Sequence, residues 1–221
     1  MSSIADRDLY LITESVLAPE YTSVDVVKKS LAGGVRMVQL REKDLNLRSR
    51  YQLGQKLRKI TREQGAALVI NDRVDLAMAL EADGVHLGQQ DLPYQEARKL
   101  LGPDKIIGVS ASSPEQVKKL NEEIVDYIGF GSVFSTKSKR LDAERQAVGL
   151  KKLKRAVQLT DLPVMAIGGI APDNVGEVVR AGATGAAVIS ALNQADDVKK
   201  TAEEMIDRIN RAGKGDEADV S

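Results

Sequence analysis

Cysteine is absent from this sequence of 221 residues, and histidine occurs once, as His86. Without cysteine the chain can form no disulfide, no thiolate metal site and no cysteine nucleophile. A serine–histidine hydrolase would depend on His86 alone, and this residue lies inside an apolar run, where a histidine is more often a hydrogen-bonded core residue than a catalyst. Tryptophan is also absent and phenylalanine occurs twice, so the core must be aliphatic and platforms for stacking nucleic-acid bases are scarce.

An excess of charge of either sign is missing as well, because 32 basic residues are balanced by 32 acidic ones. This balance removes the electrostatic footprint of a general nucleic-acid or anionic-membrane binder. No stretch approaches the ~18 consecutive apolar residues of a membrane span, and the short polar N-terminus lacks the apolar part of a signal peptide. We therefore expect a cytoplasmic globular protein with no nucleic-acid and no membrane partner, while homo-oligomer formation stays open.

Short apolar runs rich in valine, isoleucine and leucine alternate with amphipathic stretches of helical length along the chain. Eight runs have the length of a buried strand: Leu9–Thr13, Arg36–Leu40, Ala67–Ile70, Gly84–Leu87, Ile106–Val109, Tyr127–Gly131, Val164–Ile167 and Ala186–Ile189. Alternating strands and helices indicate parallel strands joined by right-handed crossovers. We predict an α/β fold, a single-domain (β/α)8 TIM barrel over residues 1–211, followed by a flexible tail over residues 212–221. An open doubly wound sheet is the alternative, but no Gly-x-Gly-x-x-Gly follows the first strand.

The reactive residues of such barrels lie at the C-terminal ends of the strands and in the loops that follow. After strand two, Gln39, Arg41 and Lys43 share one face of the extended chain. A phosphate-bearing ligand would neutralise an inward arginine and lysine well. An internal ion pair with Glu42 or Asp44 is the structural alternative.

Strands three and four end in acidic residues that would stand side by side. Asp72 follows strand three and Asp91 follows strand four. Two carboxylates completed by substrate phosphates and waters form an ordinary Mg²⁺ site. The alternative for Asp91 is that it caps a helix, because Pro93 suits a first helical turn.

The ends of strands seven and eight predict a phosphate site. Gly168-Gly169 follows one strand and Ile189-Ser190 ends the other. In barrels this position often binds phosphate through backbone N–H groups and a short helix N-terminus. Gly-Gly is also common in ordinary turns, so its position beside Ser190 is what favours the phosphate interpretation.

A long polar loop, residues 132–147, follows strand six. It carries Thr136, Ser138 and Lys139, which suit an anionic ligand, and a loop of this length in a compact barrel is often a functional lid. A solvated surface loop is the alternative. Ser110, after strand five, adds a hydroxyl at the same end of the barrel.

Seven blocks of sequence, in this order and in register from about residue 8 to residue 210, together carry a family resemblance. They are Tyr10-Leu-Ile-Thr13, Gln39-Leu-Arg-Glu-Lys43, Ile70-Asn-Asp-Arg-Val-Asp75, Asp83-Gly-Val-His-Leu-Gly-Gln-Gln-Asp91, Gly129-Phe-Gly131 with Thr136-x-Ser-Lys139, Ala166-Ile-Gly-Gly-Ile170 and Val188-Ile-Ser190. Through these blocks the chain resembles the thiamine-phosphate synthase family.

The resemblance implies a transferase on a (β/α)8 barrel that joins 4-amino-2-methyl-5-(diphosphooxymethyl)pyrimidine to a thiazole phosphate and releases thiamine phosphate and pyrophosphate. It implies a dissociative substitution without a protein nucleophile. The pyrimidine diphosphate would be held by residues Gln39, Leu40, Arg41, Glu42, Lys43, Asn71, Ser110 and Lys139. The thiazole phosphate would be held by Thr136, Ser138, Gly169, Ile189 and Ser190. Catalytic roles would fall to Arg41, Lys43, Ser110 and Lys139, and Mg²⁺ would be bound by Asp72 and Asp91.

The sequence departs from the family pattern in the loops after strands five and six. The family often has proline where Ser132 and Ser135 stand and threonine where Ser138 stands, and many members have a histidine near the segment 111–113. None of these departures removes a charged group. Three other functions stay open: a thiazole tautomerase-like relative on the same barrel, a non-catalytic barrel that binds a phosphate ligand, and an isomerase of amino-acid biosynthesis.

Overall fold

Eight parallel strands close into one barrel in the computed structural model, which describes residue 4, residues 8–135 and residues 147–214. The strands are β1 (Leu9–Ile12), β2 (Met37–Leu40), β3 (Ala67–Asn71), β4 (Gly84–Leu87), β5 (Ile106–Ala111), β6 (Tyr127–Gly131), β7 (Val164–Ile167) and β8 (Gly185–Val188). Each strand pairs with the next, and β1 also pairs with β8, so that Tyr10 lies opposite Met37 on one side and Ala187 on the other. The barrel predicted from the eight apolar runs is confirmed.

At least one helix follows each of the eight strands. The helices are α1 (Ser23–Ala32), α2 (Leu47–Glu63), α3 (Val74–Ala79), α4 (Tyr94–Leu101), α5 (Pro114–Val117), α6 (Gly149–Val157), α7 (Val175–Arg180), α8 (Ser190–Asn193) and α9 (Val198–Gly213). Side chains fix several helix starts: Thr22 and Asp25 form a reciprocal capping box at α1, and Asn46 accepts a hydrogen bond from the Ser49 N–H at α2. At these two helices the local sequence thus sets where the helix begins.

Two apolar layers fill the molecule, because alternate residues of every strand face inward and outward. The outward side chains pack against the helices in a continuous aliphatic layer that includes Leu9, Leu11 and Val38. The barrel interior is filled by a smaller cluster that includes Tyr10, Ile12, Met37, Ala67, Val69, Tyr127 and Met165. The strands are therefore buried on both faces, as their unbroken apolar composition predicts.

The last helix, α9, continues to Gly213, two residues into the segment predicted to be a flexible tail. A stretch of helix therefore occupies the start of that segment, and residues 215–221 lie outside the described residues. Within the ranges that the structure describes, no helix combines the length and the apolar composition needed to cross a bilayer.

Candidate active site at the C-terminal mouth of the barrel

The C-terminal ends of β2, β3, β4 and β5 bring together the residues predicted to bind the pyrimidine diphosphate. The pairing of these strands places Gln39, Asn71 and Ser110 around one mouth. Gln39 lies opposite Val69, two residues before Asn71 on β3. Asn71 lies opposite His86, and His86 lies opposite Gly108, two residues before Ser110 on β5. The loops that follow supply Arg41, Lys43, Asp72 and Asp91 at the same end. Three predicted residues, Thr136, Ser138 and Lys139, lie outside the described residues.

Arg41 forms a salt bridge with Glu14, and both side chains are buried, at 15% and 9% exposure. Its backbone N–H donates to Thr13 Oγ1 at 3.1 Å, so the residues after β1 and β2 are tied together. Burial lowers the pKa of the Arg41 guanidinium, and the negative charges of Asp72, Glu42 and Asp44 act in the opposite direction. The ion pair that sequence analysis allowed for Arg41 therefore exists, but its partner is Glu14 and not a neighbour in the same loop.

The side chains of Glu42 and Leu40 hold the fold together at the end of β2. The buried Glu42 carboxylate accepts hydrogen bonds from the Ser15 N–H at 2.8 Å and from Ser23 Oγ at 2.6 Å, which joins the end of β2 to the start of α1. Leu40 packs in the aliphatic layer between strands and helices. Because both side chains are already engaged, the structure leaves only the backbone atoms of these two residues for the predicted substrate contacts.

Lys43, Asp72 and Asp91 form a charged cluster after β2, β3 and β4. Lys43 Nζ lies 3.3 Å from Asp72 Oδ2, and Asp91 Oδ2 accepts a hydrogen bond from the Gly88 N–H at 2.6 Å. Burial raises the pKa of the Asp91 carboxyl, and a hydrogen bond with the Asp72 carboxyl raises this pKa further. Two carboxylates this close repel each other unless a proton or a cation lies between them, which suits a divalent metal ion.

Asp91 does not cap the helix that follows it. Helix α4 begins at Tyr94 with Pro93 as its first flanking residue, and no side chain caps it. The Asp91 carboxylate instead holds its own loop through Gly88. Among the described residues no group of three or more acidic, histidine or cysteine side chains could hold a metal, so any metal here would have two protein carboxylates and would take further ligands from substrate and water.

A chain of hydrogen bonds crosses the barrel interior beneath the mouth. Gln39 Nε2 donates to the Tyr10 hydroxyl at 2.7 Å, and the Tyr10 and Tyr127 hydroxyls are 3.0 Å apart. His86 Nδ1 lies 2.9 Å from the Tyr127 hydroxyl, and His86 Nε2 lies 2.9 Å from Ser110 Oγ. We call these five residues the inner chain. Its two ends, Gln39 and Ser110, are both residues predicted to contact the pyrimidine.

The predicted phosphate site lies where β7 and β8 end side by side. Gly168 and Gly169 both have positive φ angles, 101° and 65°, which glycine adopts without strain. A Cβ atom on Gly169 would lie 2.5 Å from the Ser135 carbonyl oxygen. Only glycine therefore allows the loop after β6 to pack here, and the Phe134 N–H donates to the Gly168 carbonyl at 3.0 Å. Across from this turn, Ser190 is the first residue of α8.

Residues 9–192 match the model of the family described as thiamine monophosphate synthase. The chain belongs to the thiamine monophosphate synthase family. Thiamine-phosphate synthase from Natronomonas pharaonis is 43% identical over 204 residues, which cover 92% of this chain and 95% of that protein. The protein of the same name from Moorella thermoacetica is 43% identical over 205 residues, with 93% and 97% covered.

Solved structures agree with the family assignment. Thiamine phosphate pyrophosphorylase from Pyrococcus furiosus is 40% identical and superposes with a TM-score of 0.84 over 94% of this chain and 98% of that one. A 3-hexulose-6-phosphate synthase has a TM-score of 0.67 at 14% identity and shares the fold alone. The predicted resemblance to the thiamine-phosphate synthase family and the enzyme class that it implies, a transferase, are thus confirmed.

A surface cleft of about 430 Å³ lies beside α8 and shares Ser190 with the predicted phosphate site. Ser190, Gln194 and Thr201 line it together with Asp196 and Asp197. Two carboxylates would repel a phosphate group. The acidic lining of this cleft therefore does not suit a phosphate group.

Sequence analysis of this family member missed Glu14, Tyr10 and Tyr127. The segment containing Glu14 was considered only for its lack of a dinucleotide-binding glycine pattern, although a buried acidic residue directly after β1 signals a charged partner. The tyrosines sit in apolar runs and carry one polar atom each, and a buried tyrosine hydroxyl requires a hydrogen-bond partner. His86 has hydrogen-bond partners, consistent with the interpretation made from the sequence.

Proposed function

We propose that this protein joins 4-amino-2-methyl-5-(diphosphooxymethyl)pyrimidine to a thiazole phosphate, producing thiamine phosphate and pyrophosphate. The observation that carries the proposal is the charged cluster at the mouth. Lys43, Asp72 and Asp91 lie together beside Arg41, while a separate glycine turn follows β7. Family membership supports the same reaction.

Mg²⁺ fits the cluster, and we propose that Asp72 and Asp91 bind it. The fit rests on the raised pKa of the Asp91 carboxyl, whose burial and hydrogen bond with Asp72 disfavour two bare negative charges. Asp72 also adopts a positive φ of 62°, a conformation that is uncommon for a residue other than glycine. When bound, the ion would offset negative charge on the departing pyrophosphate.

Arg41 and Lys43 would bind the diphosphate before and after bond cleavage. The bond between the pyrimidine methylene carbon and the diphosphate oxygen breaks, and its electron pair leaves with pyrophosphate. The thiazole nitrogen then forms the new bond to the same carbon. Cationic groups held in place by other residues, as Arg41 is by Glu14 and Thr13, stabilise the departing charge without first having to reorganise.

The remaining residues orient the two substrates and exclude water. Gln39, Asn71 and Ser110 would hold the pyrimidine ring, and Gly169, Ile189 and Ser190 would hold the thiazole phosphate. Orientation matters because the thiazole nitrogen must reach the methylene carbon before water does. We propose that Lys139 closes over the diphosphate from the loop after β6, which begins against β7 at Phe134, while Thr136 and Ser138 of the same loop contact the thiazole phosphate.

The alternatives differ from the proposal in the anion sites that they require. A thiazole tautomerase needs a single phosphate site and no paired carboxylates, so Asp72 beside Asp91 argues against it. An isomerase of amino-acid biosynthesis on the same fold is disfavoured by the same charged cluster, which suits a metal ion and a diphosphate. A phosphate-binding barrel without activity is excluded if product forms. We also propose small-molecule substrates and a cytoplasmic location, without a nucleic-acid or membrane partner.

The test is product formation from both substrates. Purified protein is incubated with the pyrimidine diphosphate and the thiazole phosphate, with Mg²⁺ or with excess chelator, and thiamine phosphate and pyrophosphate are quantified. We expect equal amounts of both products with Mg²⁺ and a strong loss with chelator that added Mg²⁺ restores. Absence of thiamine phosphate with folded protein would refute the proposed function, and full activity in chelator would refute the metal site.

A further inference from the structure

The orientation of the Gln39 side-chain amide in the structure sets the donor-to-acceptor direction of the inner chain. The amide nitrogen of Gln39 can only donate, so the Tyr10 oxygen accepts at 2.7 Å. The Tyr10 O–H is then free to donate to the Tyr127 oxygen, 3.0 Å away. Because each hydroxyl has one proton, this choice propagates along the chain.

The same reasoning fixes the tautomer of His86. The Tyr127 O–H must donate to His86 Nδ1, so the neutral imidazole carries its proton on Nε2. That Nε2–H donates to Ser110 Oγ at 2.9 Å. At one end of the inner chain the Ser110 O–H can then donate to a further group. At the other end the Gln39 carbonyl Oε1 can accept from a further group. If the Gln39 amide were reversed, every bond in the chain would reverse with it.

The surrounding strands leave room for this chain and for little else. A Cβ atom on Gly108 would overlap the Tyr127 ring, and one on Gly129 would lie 2.9 Å from His86 Cε1. Tyr10 and Tyr127 are fully buried, and burial raises the pKa of both phenols, so both remain protonated donors. Their rings meet edge to face with centroids 5.9 Å apart. The protons of the inner chain are thus confined to two coordinated arrangements.

We propose that Tyr10, Tyr127 and His86 are positioning residues that present Gln39 Oε1 as an acceptor at one end of the inner chain and the Ser110 O–H as a donor at the other end. An aminopyrimidine bound between these ends offers the complementary groups, an amino donor for Gln39 Oε1 and a ring-nitrogen acceptor for the Ser110 O–H. A pyrimidine with an oxo group in place of the amino group offers the opposite pair, a carbonyl acceptor next to a ring N–H donor. The inner chain therefore selects amino- over oxo-pyrimidines. The selectivity rests on the proposed function, because that function supplies the pyrimidine substrate. The tautomer assigned to His86 is independent of the proposed function.

The tautomer is tested first, because it is independent of activity. The chain has one histidine, so a ¹⁵N-labelled protein gives a single pair of imidazole nitrogen signals. At neutral pH we expect a protonated Nε2 and an unprotonated Nδ1 in the wild type. In Tyr127→Phe, which removes the donor to Nδ1, we expect a mixture of tautomers. The control Tyr51→Phe removes an exposed hydroxyl on α2 that accepts from Gln55, and it should leave the signals unchanged.

Selectivity is tested second, by comparing kcat/KM for the amino substrate and its oxo analogue. Tyr127→Phe should lower the amino-over-oxo preference by about 10-fold, the worth of one hydrogen bond with its desolvation cost. KM for the thiazole phosphate should stay at the wild-type value, and Tyr51→Phe should keep the full preference. If Tyr127→Phe does not fold, Tyr10→Phe interrupts the same chain at its other tyrosine and carries the test.

Each outcome decides the proposal. A wild-type His86 protonated on Nδ1, or signals unchanged in a folded Tyr127→Phe protein, overturns the direction assigned to the inner chain. An equal loss of kcat/KM for both pyrimidines shows a merely structural role and overturns the selectivity. Absence of any turnover in the wild type, with the expected tautomer present, refutes the proposed function and leaves the assigned direction standing.

Discussion

Removal of Glu14 should destabilise the protein while leaving room for an anion at the mouth. Glu14 and Arg41 form a salt bridge whose side chains are only 9% and 15% exposed. Glu14→Ala leaves the buried guanidinium without its counter-ion, and a buried pair broken in this way typically costs 3–5 kcal/mol. We expect a loss of about 3 kcal/mol in the free energy of unfolding, near the lower end of that range because Thr13 and solvent still contact the Arg41 loop.

The assay is thermal unfolding with and without Mg²⁺ and pyrophosphate. For a chain of this size the expected loss corresponds to a fall of roughly 6–12 °C in Tm. Pyrophosphate should raise the Tm of Glu14→Ala more than that of the wild type, because the anion replaces the missing counter-ion and no longer competes with a carboxylate. Glu14→Gln keeps a hydrogen-bond acceptor without the charge, so its Tm should lie between those of the wild type and Glu14→Ala.

A matched control isolates burial as the cause. Glu203 pairs with Lys199 on α9 at 3.5 Å, and both side chains are about half exposed. Glu203→Ala should therefore change stability by no more than about 0.5 kcal/mol and leave the response to pyrophosphate as in the wild type. If Glu14→Ala and Glu203→Ala unfold at the same temperature, or if pyrophosphate protects the wild type and Glu14→Ala equally, our account of the Arg41 site is refuted.

Three further outcomes follow from the site. Asp91→Asn should abolish most activity and raise the Tm measured in chelator at neutral pH. Because folding raises the pKa of the Asp91 carboxyl, the wild-type protein gains stability as the pH falls through that pKa. Above that pKa the charged carboxylate destabilises the folded state, and an uncharged amide removes this destabilisation. The difference in Tm between Asp91→Asn and the wild type should become smaller in acid. A difference that does not change with pH would contradict the coupling between Asp91 and Asp72. Gly169→Ala should raise KM for the thiazole phosphate more than for the pyrimidine diphosphate, whereas Gly65→Ala, at φ 63° with open space around it, should change neither KM; equal changes in both KM values would place the phosphate elsewhere. Lys139→Ala should lower kcat about 100-fold if this lysine stabilises the departing pyrophosphate, and an unchanged kcat with a raised KM for the diphosphate would restrict Lys139 to binding.

The order of elements and the end of the barrel that carries the chemistry could be predicted from sequence. Eight apolar runs fall on the eight strands, because strands buried on both faces need unbroken apolar segments. Polar residues directly after those runs, such as Asp72 and Asp91, lie at one mouth because every strand runs in the same direction. This inference requires only local patterns and the rule for parallel crossovers.

Partners across the barrel could not be predicted in this way. Sequence analysis sought a counter-ion for Arg41 in its own loop. The Glu42 carboxylate in that loop instead accepts hydrogen bonds from Ser15 and Ser23. The actual partner, Glu14, follows the neighbouring strand β1. Local spacing says on which face a side chain lies, but only pairing of the strands says which side chains share that face.

The inner chain shows the same division most clearly. The sequence determined that Tyr10, His86 and Tyr127 lie in strands, since each stands in an apolar run of strand length. Closure of the barrel decided that Tyr10 and Tyr127, 117 positions apart, bring their hydroxyls to 3.0 Å. Hydrophobic periodicity is a property of a few neighbouring residues, whereas the direction of a hydrogen-bond chain depends on which donors and acceptors the closed barrel brings into contact.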